Sequence, residues 1–78
     1  MINQFTLIGK ANIIKDVVSV KDMARGEIIP LEFVEGLKPI KDSLLPNDII
    51  CVKGYIVFDS TIRLVVERLT IVSRKEIL

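Results

Sequence analysis

Tyr55 and Lys53 put a flat ring and a cation two residues apart, on one side of an extended segment. Four further bases stand at strand ends or beside turns: Lys10, Lys21, Arg25 and Arg63. A lysine or arginine neutralises a phosphate, and an aromatic ring gives a nucleobase a surface to stack on. Together they could hold a single-stranded polyanion, with roughly 1–3 kcal/mol available per stacked base. Rings are scarce, however: one Tyr, three Phe and no Trp. Phe5, Phe33 and Phe58 fall in step with the apolar positions expected to fill a core, which leaves Tyr55 as the platform. Binding of this kind would rest mainly on charge and weaken steeply with salt.

Covalent chemistry finds no comparable set. The chain has no histidine, the commonest general base. Cys51 lies between apolar neighbours with no evident base to activate it, so it reads as a packed thiol. Glu32, Glu35, Asp42 and Asp48 fall on separate elements without metal-ligand spacing. No Gly-rich phosphate loop is present. The expectation is a binding protein, not an enzyme, with no cofactor and no metal.

The 78 residues are enough for one domain, and half of them are hydrophobic. Net charge is only +1, yet its distribution is uneven. Residues 1–26 carry four bases and two acids, residues 60–78 the same, and residues 27–59 three bases and six acids. A polyanion should therefore prefer the face built by the two ends. A single cysteine excludes an internal disulfide. The opening residues lack a basic segment followed by a long apolar one, and apolar runs such as residues 49–52 are far too short to span a bilayer. These features predict a cytoplasmic protein with no membrane association.

Turn-forming residues cluster at 15–16, 22–26, 45–48 and 59–60. Between them Ile, Val and Phe predict strands over residues 2–14, 17–21, 27–34, 49–58 and 61–72. Residues 39–45 predict a short helix: Pro39 suits a first turn, Ile40, Leu44 and Leu45 share a face, and Pro46 ends it. Three strands, a short helix and two more strands is the element order of the five-stranded OB-fold barrel. An SH3-like barrel is the rival, but it has no need of an apolar-faced helix at that point.

Alternation assigns Phe5, Leu7, Gly9 and Ala11 to the inside of the first strand, with Gln4, Thr6, Ile8 and Lys10 outside. In the fourth strand Ile50, Val52, Gly54, Ile56 and Phe58 turn inward. Glycine weakens a strand, so Gly9 and Gly54 predict sharp bends in a closed barrel. The outside is unexpectedly apolar: Ile8, Ile28, Pro30, Val34, Cys51 and Val57 all fall there. Joined in one patch, Ile8, Ile28, Pro30, Val34 and Val57 would make an oligomer or partner interface.

The stretch Asn3-Gln4-Phe5-Thr6-Leu7-Ile8-Gly9-Lys10 resembles the first strand of bacterial single-stranded-DNA-binding proteins. Ile28-Ile29-Pro30-Leu31-Glu32-Phe33 is similar to their third strand, residues 37–45 take the place of their helix, and residues 47–56 and 65–72 resemble their last two strands. The resemblance implies an OB-fold, a role in DNA replication or maintenance, and single-stranded DNA or RNA held by Lys10, Lys21, Arg25, Lys53, Tyr55 and Arg63. It also implies a homodimer or higher homo-oligomer, paired through the first strand, and a replication protein as a further partner.

The departures are as clear. Long hairpins that hold DNA in the family shrink here to residues 22–26 and 59–60, and Arg74-Lys75-Glu76-Ile77-Leu78 stands where an acidic tail would follow. Sites that carry aromatic residues on the family's third strand fall at Ile28, Pro30, Glu32 and Val34. A second reading therefore stands beside the first: an OB-fold interaction or primosome-type accessory module with little or no affinity for nucleic acid.

Overall fold

The computed structural model describes residues 3–74. Apolar residues at every second position make Gln4–Ile14 a strand, β1, with Phe5, Leu7, Gly9 and Ala11 turned toward the core. Lys15, in the left-handed region at φ 54°, turns the chain into β2, Val17–Lys21. After a loop closed by the Arg25 N–H on Asp22 Oδ2 (2.7 Å) come β3, Ile28–Pro30, and β4, Glu32–Phe33. A 3₁₀ turn, Glu35–Leu37, leads into α1, Lys38–Asp42. The long strands β5, Ile49–Phe58, and β6, Ile62–Ser73, complete the chain. The predicted first strand began at Ile2, which lies outside the described residues.

One sheet contains every strand, in the order β3-β2-β1-β5-β6-β4. Its two edges are consecutive pieces of chain. β3 runs antiparallel to β2, whereas β4 runs parallel to β6, and only Leu31 separates them. Leu31 donates to the Val18 carbonyl at 3.1 Å, and Val34 to the Val66 carbonyl at 3.1 Å. The sheet thus curls round until residues 28–33 serve both ends. A single strand over residues 27–34 was expected; the break at Leu31 is what lets one segment change partners.

Core packing follows the alternation. Ile50, Val52 and Val66 are fully buried, and Ala11, Val18, Val20, Leu31, Leu44 and Leu69 pack round them. Phe5 and Phe33 pack against this cluster from its margin. Phe58 departs from expectation: it is 61% exposed, because the β5–β6 hairpin runs past the rim of the barrel and its cross-strand neighbour there, Ile62, is itself exposed. The helix is shorter than predicted. Leu44 is buried and Ile40 packs on the core, but Leu45 is exposed because the chain has left the helix at Ser43.

Two glycines stand where no side chain fits. A Cβ on Gly54 would overlap the Val65 carbonyl oxygen, and one on Gly9 would overlap the Lys21 carbonyl and approach Val20 Cγ2 at 2.8 Å. Gly54 adjoins a bulge. Lys53 faces Arg68 and Gly54 faces Val66, so Glu67 is an extra residue on β6. At the barrel's other end, buried Asp48 accepts from Arg74 Nε (2.9 Å), Arg74 Nη2 (2.8 Å) and the Leu45 N–H (2.9 Å). Those bonds hold its carboxyl below the usual aspartate range, the Arg74 contact foremost. They tie the turn after the helix to the end of β6. Among the described residues no helix is long and apolar enough to cross a membrane.

Candidate nucleic-acid interface

Strand register sets the outward side chains in rows. Thr6 of β1, Lys53 of β5 and Arg68 of β6 face one another across three strands. Two residues further along β1, Ile8 faces Cys51, which faces Thr70. Two further still, Lys10 faces Lys21 of β2, and Lys21 faces Ile28 of β3. On the other side of the Lys53 row, Gln4 faces Tyr55, Tyr55 faces Val65, and Val65 faces Glu32. Tyr55 is 38% exposed and shares its face with Lys53.

The six candidate binding residues therefore divide. Lys10, Lys21, Lys53 and Tyr55 lie on a continuous outward surface of β1, β2 and β5, and the three lysines form no ion pair among the described residues. Arg25 and Arg63 are engaged by acids. Arg25 Nε lies 3.2 Å from Glu27 Oε1. Arg63 donates from Nε to Glu32 Oε2 (2.7 Å), from Nη2 to Glu32 Oε1 (3.2 Å), and from Nη1 to Asp59 Oδ2 (2.9 Å). Glu32 first and Asp59 second fix the Arg63 guanidinium in its charged form. Asp59 in turn is held below its ordinary value, chiefly by the Thr61 N–H and next by Arg63. This fork ties the hairpin to β4 and leaves Arg63 little capacity for a phosphate.

Arg68 was missed by sequence reasoning. Simple alternation from the inward Val66 would turn Arg68 inward, but the extra residue Glu67 restores it to the outside. The signal was faint: Glu67-Arg68 is a pair of adjacent charges inside an apolar strand, a break in alternation that a bulge accommodates. A cleft of about 430 Å³ opens here, lined by Gln4, Phe5, Thr6, Lys53, Gly54, Glu67 and Arg68.

The five candidate interface residues are not gathered into one patch. Ile8 and Ile28 are 56% and 50% exposed, but Lys10 and Lys21 stand between them. Pro30 is exposed opposite Ser19. Val34 and Val57 are half-buried, Val34 after the end of β4 and Val57 opposite Arg63. Cys51 is also half-buried, between Ile8 and Thr70.

A five-strand course closed through its third strand, with a short helix before the fourth, is the OB-fold. Comparison with known proteins agrees at the level of fold. The chain is similar to OBody NL8 bound to hen egg-white lysozyme, at 15% identity and a TM-score of 0.75 over 92% of this chain and 96% of that one. It is also similar to a chain of the S. pombe Stn1-Ten1 complex, at 22% identity and a TM-score of 0.67. That match covers 88% of this chain, which spans 57% of the other. No family model and no curated protein matches the chain.

Proposed function

We propose that this chain is a minimal OB-fold protein that binds single-stranded DNA weakly and with little sequence preference, in DNA replication or maintenance. In this it would act as the bacterial single-stranded-DNA-binding proteins that its motifs resemble. One observation carries the reading: two pairs of cations, Lys10 with Lys21 and Lys53 with Arg68, stand directly opposite one another on neighbouring strands. Like charges in that position destabilise a sheet. None of the four has an acid partner among the described residues. A phosphate set between the members of a pair relieves their repulsion, and Tyr55 beside them offers a face to a base.

Anisotropy of a labelled oligo(dT), followed through a salt titration, tests this. Micromolar protein should bind at low salt and release the strand as salt rises; no binding at low salt ends the proposal. An oligo(rU) competitor reads the preference for DNA over RNA. The second reading, an OB-fold interaction or primosome-type accessory module, is favoured by Phe58 and Ile62. They face each other at the hairpin tip, 61% and 67% exposed. Replacing Lys53 and Tyr55 by Ala separates the two: a DNA binder loses affinity, and an interaction module keeps whatever it had.

A further inference from the structure

We propose that the bound strand runs lengthwise along β1, over the outward rows of β1, β2, β5 and β6, and does not cross the outward face of β2 and β3. This rests on the reading of the chain as a single-strand binder and adds the path, the phosphate-holding residues and a residue that limits affinity.

The two cation rows lie four residues apart along β1, at Thr6 and at Lys10. That is about 14 Å at strand rise, too far for one phosphate to reach both. A strand that uses both rows must therefore travel along β1, and what it passes over is uncharged: Ile8, Cys51 and Thr70. Ile8, more than half exposed, provides an apolar surface on that route. The Lys53–Arg68 end opens into the cleft, so the path has a recess at one end.

The alternative route offers little. Outward residues of β2 and β3 are Val17, Ser19, Lys21, Ile28 and Pro30, and Ser19 is buried. Its one cation, Lys21, already belongs to the Lys10 row. Continuing onto β4 the path would meet Glu32, whose carboxylate is on Arg63. Charge therefore favours the β1 route.

Glu67 sits in the cleft with Lys53 and Arg68 and forms no ion pair among the described residues. A phosphate held in that cleft would meet the Glu67 negative charge, so Glu67 holds affinity down.

Oligo(dT) of four, eight and sixteen nucleotides, titrated by anisotropy against the full chain, tests path and limit together. Affinity should rise with length until the oligonucleotide spans both rows, toward the low end of the roughly 4–16 nucleotides that OB-folds occupy. The double variants Lys53→Ala/Arg68→Ala and Lys10→Ala/Lys21→Ala should each lose roughly tenfold in affinity. Each should also flatten the salt slope by about 0.7, the share of the one phosphate that each pair holds. The charge-keeping variant Lys53→Arg/Arg68→Lys should keep the wild-type salt slope, because the number of cations in the row is unchanged, and Glu67→Gln should bind roughly two- to threefold more tightly, the gain from lifting one repulsion. Val17→Glu, on the outward face of β2, should stay within about twofold of wild type. If wild type binds but Val17→Glu weakens binding as much as the Lys53/Arg68 variant, or that variant keeps its slope, the β1 path is wrong and single-strand binding stands. If wild type binds no length at low salt, both fall.

Discussion

Arg63 and Arg68 lie five residues apart on one strand and are treated in opposite ways. Arg63 has all three guanidinium nitrogens on carboxylates, and with Glu32 and Asp59 it fastens the hairpin to β4. Arg68 is set against another cation, Lys53, with no acid bonded to either among the described residues. The first arrangement is a structural fastening. The second costs stability in the free protein, because opposed like charges repel across a ladder. A sheet shaped for stability alone would have an acid at one of those positions, as at Glu32. The number of bases thus says less about ligand binding than how many are left without a partner.

The contrast can be broken most severely at Gly54, the residue beside the bulge that sets Lys53 against Arg68. Gly54→Ala drives a Cβ into the Val65 backbone, which cannot give way without moving β6. A loss at or beyond the upper end of about 1–3 kcal/mol is expected, read as a fall in the urea midpoint. Binding should fall with it, since the cation rows lose register.

Next comes the fastening at the far end of β6. Asp48→Ala leaves the Leu45 N–H without its acceptor and should cost about 1–3 kcal/mol in the same assay. A pH series sharpens it. The Asp48 carboxyl is held below its ordinary 3.8, so its stabilisation is complete above that value and is lost as pH falls through the lower, folded-state value. Wild type should therefore lose stability steeply in acid below about pH 4, and Asp48→Asn should do so less. Equal slopes would remove Asp48 from the account.

Tyr55→Ala should remove one stacked base, about 1 kcal/mol or more of binding, with little change in salt slope. An unchanged affinity would reduce the site to charge alone. The smallest effect is expected at Arg63. Arg63→Ala should leave oligonucleotide affinity within about twofold and the salt slope as it was, because its charge is already spent on Glu32 and Asp59. A loss there equal to that of the Lys53/Arg68 double variant would erase the distinction between the two arginines.

Much of this was legible beforehand, where strict alternation holds. β1 and the first half of β5 show the predicted facing at residue after residue; Gly9 and Gly54 were expected at sharp bends, and what requires glycine at both is the close approach of neighbouring backbone. Alternation failed where the ladder itself is irregular. The bulge at Glu67 carried Arg68 out of view, and the hairpin's overrun beyond the rim turned Phe58 from core to surface. Ion pairing was equally hidden. Arg63 and Glu32 are 31 residues apart in sequence, and only the curl of the sheet, which sets β4 beside β6, brings them together.

That curl has a consequence for the order of assembly. The parallel contact of Glu32 with Val65 and Phe33 with Val66 spans 33 positions of sequence. Contacts so distant form late, because a long loop must close before they give any return. A nascent chain can zip β1 to β2 early, but the seam stays unsealed until β6 has left the ribosome. Until then the inner faces of β1 and β2 are wet, and exposure to chaperones or to another nascent chain is greatest in that interval.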